Sequence, residues 1–479
     1  MSFNYTLLDS FSLDGRWGLA GWEQEKWLPG RLAYDPENGI RLEVLGLFED
    51  IKAGPIEVPP EREVIQGVTG GADLVTLFKC VSSGLSMSFS PKAGAAGARY
   101  QAHWMVVGEH LSSLEEARYS SLSVNLHNLE EFIGRTGFQS NSTAEGVSVV
   151  YKFPEPLEMQ IDKFAAKAEY SAHLDSKMFE QMGIAQRGWL TFTPEAETHF
   201  QEFLTGPLAS LHYLLTFALG HRAPIIAVEA KTPRTAISFE GKELFPALKL
   251  FFRQKHALPL PDREHPLRFL FTLAGLGDGL SGAAINWQKG FNAFRDALDF
   301  YFSIDPESDT DVALEHHFLS VMDALESYHR RVGKNQLDLL PESAHEARLK
   351  TVLESAPLEH RDWLKNKLQY GNEVSLRSRV KELYDEQPAN VKDLLGKKSQ
   401  FAGAVIDTRN YLIHHSPELK ASALSGSELW LATKKVRLVL QACFLRQMGL
   451  LDDAISGAIA RSRDYLVLRQ HSKKGNSNE

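Results

Sequence analysis

Apolar residues recur with two different periods along this chain, and the change of period divides it. Over residues 1–190 the period is two. Ser121 to His127 sets Leu122, Val124 and Leu126 on one face and polar residues on the other, which predicts a strand. Leu74 to Val81 and Gly146 to Phe153 read the same way. Turn signals are frequent between such runs: Asn38-Gly39, Pro59-Pro60, Gly70-Gly71 and Pro154-Glu155-Pro156. Short strands between turns predict a β-rich sandwich or an open barrel. Residues 191–302 are mixed. Pro194 to Leu219 keeps helical spacing, with Thr193 as N-cap and Pro194 at the first helical position. Ile225 to Ala230, Ala247 to Phe252 and Leu267 to Ala274 read as strands, and Trp287 to Tyr301 as a helix. From Ser303 the period is 3.6. Leu314, Phe318, Val321, Leu325 and Tyr328 mark one helix; Leu429, Ala432, Val436, Val439 and Cys443 mark another. Shorter helices fall at Arg361 to Leu368 and Glu373 to Leu383. Residues 303–470 thus predict an antiparallel helical bundle, and 471–479 a disordered polar tail. The whole reads as an α+β multidomain chain without internal repeats.

Composition excludes several classes. With 479 residues, 43% hydrophobic and 24% charged, the chain is long enough for two or three cored domains. A net charge of −9 argues against a general nucleic-acid coat but leaves room for one local RNA-gripping groove. The two cysteines, Cys80 and Cys443, form no disulfide framework and no zinc pattern. No secretory leader is legible after Met1, and the longest apolar run, Leu208 to Leu219, is too short to span a bilayer. The cytoplasm, without membrane partners, is the expected compartment.

The chemistry concentrates in Arg409-Asn410-Tyr411-Leu412-Ile413-His414, near the end of a helical pattern that Ser416-Pro417 stops. Phe401, Val405, Thr408 and Leu412 mark its buried face. At about 100° per residue, Asn410 and His414 fall nearly opposite, one turn apart. Arg409 lies to the side, near Ile406 and Ile413, two apolar residues off the buried stripe. Metal-free RNA cleavage needs a base for the 2′-hydroxyl and an acid for the leaving 5′-oxygen, and histidine serves near neutral pH. A guanidinium stabilises the charge gathering on the phosphorane, and a carboxamide orients the imidazole or holds a phosphate oxygen. One copy supplies one titrating group; two copies across a two-fold axis supply two. An Arg and a His five apart also occur by chance in many helices, as bland surface residues. His415 lies closer to the buried face and reads as packing or support.

Other constellations are weaker. Gly277 to Gly282 matches G-x-G-x-x-G, but no second buried strand follows and a linker fits better. Glu326, on the flank of its helix's buried face, can salt-link Arg409 or face water. Arg361, Lys365, Lys367, Arg377, Arg379 and Lys381 form a basic stretch: a solvated face or an RNA-backbone groove. Trp17, Trp22, Trp27 and Trp104 read as β-domain core more readily than as base-stacking platforms. No metal ligands or cofactor motif are read.

The stretch Asp407 to His415 resembles the R-x4-6-H signature of HEPN ribonucleases, in the fuller form R-N-x-x-x-H. Ala324-Leu325-Glu326-Ser327-Tyr328-His329-Arg330 resembles the first long helix of that type. Nearly the whole chain is similar to the ApeA group of bacterial anti-phage proteins. Leu28 to Asp35 and Gly39 to Glu43 carry that similarity in the β-rich part, and Asn128-Leu129-Glu130-Glu131-Phe132 is similar to the family's NLEEW, with Phe for Trp. The resemblance implies an abortive-infection ribonuclease that dimerises, or assembles further, through its HEPN bundle. It implies cleavage of cellular RNA, often tRNA, upon a phage-derived trigger, with Arg409, Asn410 and His414 as catalytic residues. Two alternatives stay open: a non-catalytic HEPN module that binds or neutralises a toxin, and a ligand- or phage-signal-binding protein acting through its β domain.

Overall fold

Alternation fixes the first strands, and their register closes them into a barrel. The computed structural model describes residues 3–49, 59–87, 96–177, 179–254, 258–304, 312–332 and 340–476. Strands β1 (Phe11–Leu19), β2 (Leu28–Asp35), β3 (Gly39–Leu45), β4 (Glu61–Thr69), β5 (Leu74–Met87) and β6 (Ala96–Val107) pair antiparallel in the order β1-β2-β3-β6-β5-β4. The sixth strand in that order, β4, returns to β1 through Trp17↔Gly67 and its neighbours. Closure leaves no edge between these six. Register-matched positions on one face, Trp17, Leu32, Leu42, Ile65 and Leu77, are all buried. The Trp17 indole needs room from the next strand: a Cβ on Gly67 would sit 2.1 Å from the ring. A glycine inside that strand, otherwise unfavourable, is thereby explained.

At Trp104 to Val107 strand β6 takes Leu248–Phe252 as a further partner. From there the sheet runs outward through Ile225–Lys231, Ser121–Leu126, Gln181–Pro194, Phe164–Lys177 and Leu157–Ile161, each pair antiparallel. The strand Gln181–Pro194 overturns the sequence expectation of a helix opening at Thr193 and Pro194. That helix instead begins at Phe200, where the His199 ring accepts from the Gln201 N–H, and runs through a π-turn around Pro207 into Ala209–Leu219. The Leu267 to Ala274 strand is likewise absent. Pro266–Arg268 and Ala274–Gly279 are 3₁₀ turns, and the glycine-rich run leads directly into the helix Leu280–Tyr301, with Gly277 at φ 54°. Among the described residues no strand leads directly into it, as a dinucleotide fingerprint requires.

The chain divides into two compact units: 1–216 with 223–266 and 272–281, and 217–222 with 267–271 and 282–479. The second is helical. Its centre is Gly426–Gln447, in which Val436, Leu438 to Leu440, Ala442 to Leu445 and their neighbours are buried. A helix buried all round needs helices around it. Leu314–Val332, Leu376–Asp385, Ala389–Leu395, Asp452–Ile459 and Arg463–Asn476 supply them. Phe444 meets Phe217, Phe294, Tyr301 and Tyr328 with centroids 5.5–5.8 Å apart. Beside this cluster Asp464 is buried, accepting from Lys434, Arg437 and Gln441 at 3.0 Å each. The last helix carries His471 to Asn476, part of the segment that composition reads as a tail. Cys80 and Cys443 are buried free thiols.

Candidate active site

The helix Lys398–His414 carries the motif. Phe401, Ala402, Val405, Ile406 and Thr408 are its buried residues. It packs on both Leu376–Asp385 and Leu314–Val332, so its buried arc is wider than one stripe. This corrects two sequence expectations. Ile406 is 5% exposed and belongs to the core, whereas Leu412 is only half-buried. Ile413, on the last turn of this helix, is 42% exposed. Thr408, fully buried, donates to the Ala404 carbonyl (2.7 Å) and accepts from the Leu424 N–H (2.9 Å). That pair of bonds ties the following loop onto the helix.

The end itself is set by His415. It adopts the left-handed conformation (φ 51°, ψ 33°), and its N–H donates to the Tyr411 carbonyl at 2.7 Å. Such a residue closes a helix. His415 is exposed, not packed as its position on the helical wheel suggests, because the chain leaves the helical path there. Its imidazole meets the Tyr411 ring edge-on at 6.0 Å.

His414, the last helical residue, is exposed, and its side chain makes no hydrogen bond among the described residues. Asn410 is half-buried one turn earlier. Arg409 leans the other way, toward Leu314–Val332. Its Nη2 is 3.9 Å from Glu326 Oε2, with both side chains 23% exposed. Its Nε is buried without a hydrogen-bond partner among the described residues. The other oxygen of Glu326 accepts from Arg330 Nε at 3.0 Å, and Arg330 also reaches Glu373 at 3.1 Å. Asp323, one turn before Glu326, is half-buried. Burial pushes its carboxyl above the ordinary carboxylate range, against the pull of the Arg409 guanidinium. Sequence reasoning named Glu326 and missed Asp323, Arg330 and Glu373. The Asp323/Glu326 spacing of i, i+3 was the available signal.

The basic stretch separates into two kinds. Arg379 is fully buried: it donates to the Val374 carbonyl and to His329 Nδ1 at 2.9 Å, and His329 Nε2 lies 2.8 Å from Glu382. This removes Arg379 from any RNA groove. Burial lowers the His329 pKa, with the Glu382 hydrogen bond opposing it. Arg361 spends its donors on the Ala356 and Glu354 carbonyls, and Arg377 pairs with Asp407 at 2.8 Å. Lys365 and Lys367 are exposed and Lys381 half-buried. Among the described residues, no group of His, Cys, Asp and Glu is placed to hold a metal ion, and no helix is long and apolar enough to cross a membrane.

An all-helical unit that ends its motif helix on exposed His414, with Arg409 and Asn410 a turn before, has the make-up of a HEPN domain. Residues 319–454 match the family model of the Apea-like HEPN, and residues 12–287 match that of ApeA N-terminal domain 1. The chain belongs to the ApeA family, a family of anti-phage HEPN nucleases. No curated protein and no solved structure matches it. The tetrapeptide Asn128 to Glu131 acts structurally in the first unit. Asn128 takes a left-handed conformation before the short buried helix Leu129–Ile133, Glu130 accepts from the Gly188 N–H at 2.7 Å, and Arg263 holds both glutamates at 2.9 Å.

Proposed function

We propose that this chain is a metal-independent endoribonuclease of anti-phage defence, acting in the cytoplasm on cellular RNA, tRNA among it. The observation that carries this reading is the placement of His414. A titratable imidazole stands exposed at a helix end, without a protein partner among the described residues, with Asn410 and Arg409 one turn earlier on the same helix. Acting as base, His414 takes the 2′-hydroxyl proton. The 2′-oxygen then attacks the adjacent phosphorus, and the bond to the 5′-oxygen breaks. Arg409 neutralises the equatorial oxygens of the phosphorane, and Asn410 holds one oxygen or orients the ring. The leaving 5′-oxygen needs a proton, and a second His414 from a two-fold partner supplies it. Exposed Ile413, beside His414 on the same turn, fits that homodimer contact.

Total RNA incubated with the purified protein in chelator tests the proposal. Cleavage with 2′,3′-cyclic phosphate and 5′-hydroxyl ends, mapped by sequencing to tRNA or elsewhere, supports it. Activity that vanishes in EDTA, or products with 5′-phosphates, rejects it. Binding of RNA without cleavage by a dimer would favour the non-catalytic HEPN reading.

A further inference from the structure

The outer half of the large sheet carries a polar row on one face. Register places Lys249 beside Glu229, Glu229 beside Ser123, Ser123 beside Thr191 and Thr191 beside Lys167. Val228 and Ala230, on the opposite face, are buried. Two cavities open on the polar side, of about 430 Å³ and 320 Å³, and both are lined by Ser171, His173 and Arg187. Cavities of this size hold small ligands. The N-terminal segment Asn4 to Leu7 walls the larger one, anchored by the Leu7 N–H on the Ile226 carbonyl at 2.8 Å.

The groups that line this cleft are unevenly paired. Lys249 donates to the Phe3 carbonyl (2.6 Å) and stands at 3.4 Å from that of Tyr5, not to a carboxylate. Arg187 has no hydrogen bond or ion pair from its side chain among the described residues. Glu229, beside Lys249 in register, likewise accepts none. Burial raises its pKa, with Lys249 and Arg187 both acting to lower it, so the three charges feel one another. Tyr5 stacks one ring face on Phe11 at 4.5 Å and is 38% exposed. A guanidinium without a carboxylate is matched by an oxyanion, a half-buried carboxylate by an N–H donor, and a half-exposed ring by a flat heterocycle.

We propose that this cleft binds a phosphorylated nucleoside. Arg187, supported by the Lys249 charge, takes the phosphate, Glu229 accepts from the amino or imino edge of the base, and Tyr5 offers the stacking face. The inference concerns the β-rich unit alone and stands whether or not the helical unit cleaves RNA.

The test titrates the full-length protein with inorganic pyrophosphate and with the four ribonucleoside triphosphates, by calorimetry and by thermal shift. At least one nucleotide should bind and raise the melting temperature, and bind more tightly than pyrophosphate. Arg187→Ala, at an exposed and unpaired position, should leave the ligand-free melting temperature unchanged and weaken nucleotide binding roughly tenfold or more. Glu229→Gln should alter the order of preference among the four bases while leaving pyrophosphate affinity alone. His414→Ala should bind as the wild type does. The proposal is overturned if no probe binds by about 1 mM, a range in which even weak sites fill. It is equally overturned if Arg187→Ala binds as tightly as wild type, or if pyrophosphate matches every nucleotide, since then the cleft reads only a charge.

Discussion

Replacing His414 by alanine removes one imidazole and, by this structure, almost nothing else. The ring is exposed, at the last residue of its helix, and makes no hydrogen bond among the described residues. Surface changes of this kind stay within about 0.5 kcal/mol. For a unit of this size that is a shift of roughly 1–2 °C in melting temperature. The chemical loss is of another order. A positioned general acid or base contributes about 10²- to 10⁴-fold, or about 2.7–5.4 kcal/mol of barrier at 1.36 kcal/mol per decade. Phe401→Ala is the counterpart on the same helix, at a side chain 5% exposed. It should cost about 3–5 kcal/mol of stability through the cavity it leaves. Its activity should recover when normalised to folded protein. The assay pairs single-turnover cleavage of a labelled RNA with a melting curve for each variant. A His414→Ala protein that cleaves at the wild-type rate refutes the catalytic assignment. One that melts as early as Phe401→Ala refutes the exposed placement.

Three further outcomes follow from the geometry. Arg409→Lys keeps the charge but loses the fork, so turnover should fall tenfold or more with little change in melting temperature; undiminished turnover would show that a point charge suffices. Glu326→Gln removes the carboxylate that competes with phosphate for Arg409. KM for RNA should drop about two- to fivefold, the scale of one partly exposed ion pair, and a raised KM would mean instead that Glu326 orients the guanidinium. Asp464→Asn should destabilise the helical unit by about 3–5 kcal/mol at pH 7, since it strands Arg437 and Lys434. Burial alone pushes the Asp464 carboxyl up, but those two cations more than offset it and hold it below the ordinary value. Its contribution is therefore present above the unfolded pKa of about 3.9 and lost as pH falls through the folded one. The gap in melting temperature between wild type and variant should close in acid, and a constant gap would refute the ion-pair account.

The motif helix was legible because its cues are local. Period, the Ser416-Pro417 stop and the i, i+4 relation of Asn410 and His414 all lie within eighteen residues of chain. Ile406 escaped because a helix held by two neighbours buries a wider arc than its most apolar stripe shows. Barrel closure escaped for a related reason. Alternation marks β1 and β4 as strands, but only the long-range register of Trp17 against Gly67 joins them. Pro194 misled because proline at the end of a strand and proline at a helix start look alike in sequence. Arg379 and His329 were hidden most deeply. Period analysis treats charged residues as surface, while here the two bond to each other inside the bundle.

The acidic balance of the chain constrains how such a site can work. A net charge of −9 repels RNA at long range, yet the repulsion is screened beyond about 8 Å at physiological ionic strength. What the phosphate meets at contact is set by the few groups within that distance. Around Arg409 these include Asp323 and Glu326 on the neighbouring helix, with Arg330 already committed to Glu326 and Glu373. In one protomer the guanidinium is thus poised against acids, not against a basic field. A second copy of the chain, brought near through Ile413 as proposed, would double the guanidiniums and the carboxylates together. Under the proposed dimer, pairing would therefore supply the second proton-transfer group while leaving the local balance of charge as it is in one copy.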